Sequence, residues 1–462
     1  MDTPPQDPRA FWGSRWTFTL AAIGCALGLG NLWRWPVLFE QHGGSAFLLV
    51  YGLFLALLSV PLLMAEFMLG RQYRSDPVSG MDGACQQSRL SGQWLWLPRM
   101  ALLAGFVLVS FYAVVGGMAL AYVFLAALGE FNGASRDLVS GTFAVLQKDP
   151  RVLAAWQFGF LVLVLLVSAR GIHHGLSRSL RVVVPLILAL MLVLLVYGGV
   201  AGDAGAVISA FKSPDFAALG LEGVLQALAQ AFYTAGLATG AMMMLGAYMP
   251  GSGSIRFSAW MLVAVDTLMA LLAAVFVVAL VDPLTESPEA GFGLLFQSLP
   301  LALSGTGLAG GVIAQPMTSL LFVLVVLLAW SSAILVFEPI VVWLLARTGL
   351  SRWLLVTAGL FLVWLAGLGT ILSFNHWSGN TLMGHNLFAW LNLLATGLLM
   401  PLVAMGMALF LGWVRPAWLN RQGLVLGYPG FFLWQWLMRW LVPAAMGVLI
   451  LFACWNFYGQ NY

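Results

Sequence analysis

Three carboxylates lie inside stretches that are otherwise almost wholly apolar: Glu66 after Pro61-Leu-Leu-Met-Ala, Asp266 between Val265 and Thr267, and Glu338 before Pro339. An ionised side chain in such a run is costly, so it is kept where it binds a cation, pairs with another charge or carries a proton. No basic residue neighbours Asp266 in sequence, which points that carboxylate towards a functional ligand, while Glu66 and Glu338 leave a hydrogen-bonded structural role equally open. Two glycine clusters add a second kind of chemistry: Gly24-Cys25-Ala26-Leu27-Gly28-Leu29-Gly30-Asn31 and Thr234-Ala235-Gly236-Leu237-Ala238-Thr239-Gly240. Glycine clusters free backbone groups from helix bonds, and these must then be satisfied otherwise. Carbonyls exposed by a break suit a bare hard cation, and helix N-termini suit a carboxylate. A zwitterion held beside sodium meets both demands. Close packing through small residues explains either cluster alone, but their matching placement in two halves of the chain favours the binding reading.

The elements that must position these groups are membrane helices. Of 462 residues, 61% are hydrophobic and 8% charged, against roughly a quarter charged in soluble domains. Apolar runs of bilayer-crossing length recur along the chain, and about eleven spans are expected, starting near residues 16, 46, 100, 154, 182, 224, 258, 316, 354, 386 and 432. Alternating strands of the kind a barrel needs are not visible. The glycine clusters fall in spans one and six, the pattern of an inverted repeat of spans 1–5 against 6–10 with helices 1 and 6 broken. The fold class is therefore all-α and polytopic, a single transmembrane domain over 1–462, with repeat one roughly 16–200, repeat two roughly 222–413 and an extra helix roughly 432–458.

Arginine and lysine set the orientation. With a cytoplasmic N-terminus, most of them, from Arg9 and Arg15 to Arg421 and Arg439, fall on the cytoplasmic side, and only Arg136, Lys148, Arg151 and Lys212 fall outside. The C-terminus is then expected on the periplasmic or extracellular side of a bacterial inner membrane. The polar N-terminal stretch leads straight into a full-length span, so no cleavable signal peptide is expected. Cys25, Cys85 and Cys454 lie too far apart in sequence to suggest a disulfide framework or a metal site. The net charge of +3 follows the loop bias and implies no nucleic-acid partner. His173-His174 reads as a basic turn, and His376 and His385 as outer-loop residues. Neither a catalytic triad nor a phosphate loop is present, so no enzyme activity is expected.

Specific motifs now carry a resemblance. Trp12-Gly-Ser-Arg15, Gly24 to Asn31 and Leu32-Trp33-Arg34-Trp35-Pro36 resemble the first span of the neurotransmitter:sodium symporters, which share the LeuT fold. Gly43-Gly44-Ser45-Ala46-Phe47 and the stretch from Pro61 through Glu66 to Arg71 resemble the second, Ser110-Phe111-Tyr112 the third and Ala231-Phe232-Tyr233-Thr234 the sixth. Val265-Asp266-Thr267 resembles the seventh, and Ala329-Trp330-Ser331-Ser332-Ala333 with Glu338-Pro339 the eighth. The likeness covers nearly the whole chain. It implies one sodium site from Ala26, Asn31, Thr234, Asp266 and the substrate carboxylate, and a second from Gly24, Leu27, Leu328, Ser331 and Ser332. All these ligands are oxygens, as a hard cation prefers. It implies a substrate pocket built from Ala26, Gly28, Leu29, Gly30, Tyr112, Tyr233, Thr234, Gly236, Thr239, Ser332 and Val336, with Leu335 adding aliphatic wall.

Gly28 stands where amine-transporting relatives place an aspartate, which leaves room for the carboxylate of an amino acid. Asp266 supplies a fixed negative charge beside the first sodium site, where chloride-dependent relatives bind the anion near positions matching Tyr51 and Gln230; chloride independence is the expectation. Thr239 replaces a bulkier residue, and a larger pocket for a neutral hydrophobic or aromatic side chain follows. The gates depart from the family pattern. The outer arginine, matched by Arg34, faces Asn392 in place of an aspartate; the inner one, matched by Arg9 beside Trp12, meets Ala346. Closure then falls to hydrogen bonds and to the aromatic groups Trp12, Tyr233 and Tyr248. Residues 282–311 are expected to form an outer loop with short helices that acts as a lid.

The resemblance thus implies two sodium ions and an amino acid carried inward by alternating access, in contact with membrane lipid and with the oligomeric state open. Two other classes fit the same residues: a ligand sensor without transport, and a proton-coupled carrier titrating Glu66 or Glu338.

Overall fold

The computed structural model describes residues 15–250, 253–281, 291–305, 313–379, 381–414 and 428–459. Among them the regular structure is helical, apart from one isolated bridge between Leu382 and His385. The first span is a bent pair, α1 (Trp16–Ala26) and α2 (Gly30–Gln41), turned by 48° at the glycine cluster. The long helices are α3 (Ser45–Tyr73), α4 (Gly92–Ala127), α5 (Pro150–Ser168) and α6 (His174–Ala201). The second half opens on another broken pair, α7 (Phe216–Tyr233) and α8 (Ala241–Ala247). It continues through α9 (Ile255–Leu280), α10 (Ala314–Thr348), α11 (Arg352–Phe374) and α12 (Leu387–Val414), and α13 (Pro429–Gly459) follows. Among the described residues nine helices are long and apolar enough to cross a membrane, ten if the bent pair is one span. The sixth span of the sequence reading is the α7–α8 pair, which is not among these ten.

The two breaks form because helix bonding fails locally and other groups replace it. At the first, α1 stops at Ala26; the Leu29 amide donates to the Tyr112 hydroxyl at 2.9 Å and the Ser332 hydroxyl donates to the Leu27 carbonyl at 3.2 Å. At the second, Gly236 (φ +60°) and Gly240 (φ +81°) take left-handed conformations open to glycine, and Ala238 (φ +62°) is forced into one as well. Glu66 anchors that segment: its Oε1 accepts from the Ala238 amide at 2.7 Å. The role of this buried carboxylate is therefore a cap on a broken helix, one of the two readings its sequence context left open.

Glu338, the other carboxylate left open, pairs with Arg352 of α11, whose Nε also donates to the Ser168 carbonyl at 2.8 Å. One arginine thus ties the ends of α5, α10 and α11 together. Backbone meets backbone between α3 and α8. A Cβ placed on Gly70 would lie 1.9 Å from the Met243 carbonyl oxygen, and one on Gly246 would lie 2.6 Å from that of Phe67. The last helix packs on α12 and reaches α3, where Trp434 Nε1 donates to the Pro61 carbonyl at 3.1 Å.

Much of the expected outer loop, 282–290 and 306–311, lies outside the described residues. Its described part forms a short apolar helix, Leu294–Ser304. The Gly291 amide donates to the Trp33 carbonyl at 3.2 Å, and the Phe292 ring stands 5.7 Å from Trp33 and 5.6 Å from Phe388. This segment lies against the first turn of α2, beside the first break.

Candidate functional site

The two breaks, α4 and α10 enclose a cavity of about 200 Å³. Of the residues expected to bind substrate, Ala26, Gly28, Gly30, Tyr112, Tyr233, Thr234, Gly236, Ser332 and Val336 line it. At Gly28 there is space: an added Cβ would lie 3.6 Å from the Tyr112 hydroxyl and 3.8 Å from Ser332 Oγ and the Ala26 carbonyl. The freed amides, the Tyr112 hydroxyl and the Ser332 hydroxyl therefore crowd one end of the cavity. Leu108, Val109, Phe111, Ala333, Val336 and Met400 form an apolar wall, and Arg34, Gln230, Asn392 and Thr396 add a second polar side.

Behind Asn31 lies Asp266, wholly buried at 0% exposure. Asn31 Nδ2 donates to its Oδ1 at 2.6 Å, while Oδ2 is buried without a hydrogen-bond partner. A buried carboxylate oxygen in that condition is chemically suited to a cation. Thr234 is held next to it: its hydroxyl donates to the Gln230 carbonyl and stands 3.1 Å from the Tyr51 hydroxyl. Of the oxygens expected to form the second sodium site, Ser332 Oγ is 3.2 Å from the Leu27 carbonyl across the first break, while Ser331 Oγ donates to the Leu328 carbonyl one turn earlier in α10 at 3.2 Å; all four residues are buried. Gly24 is pressed against Leu180 and Val184 of α6.

Three expected placements differ in the structure. Thr239 is fully buried but does not line the cavity, because its hydroxyl folds back onto the Gly236 carbonyl at 2.7 Å and closes the local turn. Leu29 and Leu335 likewise turn their side chains into the core, and the Leu29 amide faces Tyr112. At the expected outer gate Arg34 and Asn392 line the same cavity wall; Arg34 Nη2 donates to Gln226 Oε1 at 3.0 Å, and its guanidinium sits 5.4 Å from the centre of the Tyr233 ring. The Thr396 hydroxyl donates to the Asn392 carbonyl at 2.7 Å, with Asn392 Oδ1 3.3 Å away. Tyr248 caps α8, buried away from the cavity. The expected inner gate, Arg9 with Trp12, lies outside the described residues. Tyr233 stands on the cavity wall, its hydroxyl donating to the Thr396 carbonyl at 3.4 Å.

Sequence reasoning missed Gln226, Leu108 and Phe111. Leu108 lies one helical turn before Tyr112 and Gln226 two turns before Tyr233, so spacing from the recognised tyrosines would have found both.

Comparison with known proteins agrees with this arrangement. The sequence model of the sodium:neurotransmitter symporter family matches residues 9–132. The uncharacterized sodium-dependent transporter YhdH of Bacillus subtilis is 30% identical over 452 residues, covering 95% of this chain and 96% of its own length. An uncharacterized sodium-dependent transporter of Haemophilus influenzae is 24% identical, covering 96% and 98%. Among solved structures, that of MhsT in complex with L-phenylalanine superimposes with a TM-score of 0.85 at 30% identity, covering 96% of this chain and 99% of that one. Fold and site define a multi-span transporter of the LeuT type, not an enzyme. The chain belongs to the sodium:neurotransmitter symporter family, and its transport is sodium-dependent symport.

Proposed function

We propose that this protein carries a neutral amino acid with a hydrophobic or aromatic side chain into the cytoplasm, coupled to two sodium ions and without need of chloride. The observation that carries the reading is Asp266: a buried carboxylate, half satisfied by Asn31, set behind a cavity whose polar end fits a carboxylate and one of whose walls is apolar. In a low-dielectric site that holds cations, compensating charge must come from a fixed carboxylate or from a bound anion, and here the carboxylate is built in. The substrate carboxylate would take the place next to Gly28, receiving the Tyr112 hydroxyl and completing the first sodium site with Ala26, Asn31, Thr234 and Asp266. The side chain would extend towards Leu108, Phe111 and Val336. MhsT, of the same fold, was solved with L-phenylalanine, which supports an aromatic substrate. Alternating access would close Tyr233 over the bound state and release it inwards, with a cytoplasmic N-terminus in a bacterial inner membrane. Glu338 is engaged by Arg352 and Glu66 by the second break, which favours a structural role for both.

Uptake of a panel of labelled amino acids into proteoliposomes, with and without an inward sodium gradient, tests the reading. Sodium-driven uptake of leucine-like or aromatic amino acids is expected, and it persists at saturating substrate when gluconate replaces chloride. Uptake indifferent to sodium would overturn the proposal, and collapse in gluconate would remove the role given to Asp266.

A further inference from the structure

Outside the central cavity lies a second one of about 300 Å³, and the two meet at a neck whose walls they share: Arg34, Tyr233, Asn392 and Thr396. Among the described residues, neither cavity has an aspartate or glutamate in its lining. Among the described residues the guanidinium of Arg34 has no carboxylate partner; its one hydrogen bond goes to a neutral amide, Gln226 Oε1. Gln226 Oε1 serves Arg34, and the Thr396 hydroxyl donates its one proton to the Asn392 carbonyl at 2.7 Å, with Asn392 Oδ1 3.3 Å away; the N–H donors of the guanidinium, Gln226 Nε2 and Asn392 Nδ2 remain. A cation in partly dry surroundings, ringed by spare donors and lacking a carboxylate, is the complement of a small anion.

We propose that the neck is a binding site for a small monovalent inorganic anion, chloride or nitrate, which bridges Arg34 to Asn392 and holds the outer gate shut where a carboxylate would otherwise do so. The site is distinct from the sodium site at Asp266 and modulates transport without being required for it. The proposal rests on the transport reading above only for its effect on uptake; binding itself is read separately. A substrate carboxylate passing through the neck shares this chemistry, and the two sources predict opposite effects. An anion that closes the gate behind the substrate lowers the apparent KM, whereas one that competes with an entering carboxylate raises it.

The binding test uses purified full-length protein in detergent at fixed sodium, titrated with chloride, nitrate or gluconate while tryptophan fluorescence and the thermal midpoint are followed. Chloride and nitrate are expected to give a saturable shift that gluconate does not, and Asn392→Asp, which places a fixed carboxylate at the neck, is expected to abolish it. In voltage-clamped proteoliposomes, removing external chloride should raise the apparent KM of the wild type roughly two- to fivefold, the scale of a partly solvated ion contact, and leave Asn392→Asp unmoved. No saturable shift in the wild type, an equal shift in Asn392→Asp, or a KM that falls when chloride is removed would each overturn the assignment. The titration needs no transport, so a protein that binds anions here yet shows no sodium-driven uptake would count against the transport reading alone.

Discussion

The two helix breaks solve the same problem in different ways. The first is short: α1 ends at Ala26, α2 starts at Gly30, and two borrowed hydroxyls, Tyr112 and Ser332, satisfy what the break exposes. Its backbone stays within ordinary conformations, and the groups it frees face the cavity. The second runs from Thr234 to Gly240, places three residues at positive φ and needs a carboxylate from another helix to hold it. A break that serves ligands can be minimal, whereas one that joins half-helices of different direction carries strain and requires an anchor.

That contrast can be broken at particular positions. The largest effect is expected from Gly28→Asp. The added carbon has room, so the protein should fold and keep its thermal midpoint, but the new carboxylate would fill the place given to the substrate's own, and amino-acid uptake should be lost; retained affinity would undo the assignment of the first break as the binding end. Glu66→Ala removes the acceptor of the Ala238 amide and leaves a buried donor unmet, at about 1–3 kcal/mol. The midpoint in detergent should fall by several degrees with uptake reduced, and an unchanged midpoint would show that the second break needs no anchor. Ala238→Gly should have the smallest effect. It relieves a left-handed conformation costing about 1–2 kcal/mol, offset by about 0.5–1 kcal/mol of glycine's extra chain entropy, so the midpoint should rise by no more than about 2 °C. A fall would mean that the Ala238 methyl packs more favourably than its backbone is strained.

Both breaks were legible in the sequence because glycine clustering and an apolar context are local signals, and Asp266 stood out for the same reason. What could not be read was direction. Thr239 lies in the right segment, yet its hydroxyl turns onto the Gly236 carbonyl, a choice made by the dihedral angles of the break rather than by residue type. The partner of Arg34 was sought in α12, where a carboxylate would have been conspicuous; the residue that meets it, Gln226, is neutral and carries no mark of its role. Arg352 and Glu338 were each visible, but their pairing depends on the left-handed turn at Gly349 that folds α11 back on α10.

The close approach of Gly70 to Met243, and of Gly246 to Phe67, has a mechanical consequence. With no side chain between them, α3 and α8 rest on one another's peptide groups, and separating them would open a gap that neither lipid nor a rotamer change could fill. Any swing of α8 would therefore have to carry α3 with it as one arm, and the bending would fall on the seven residues from Thr234 to Gly240, the fulcrum of that arm.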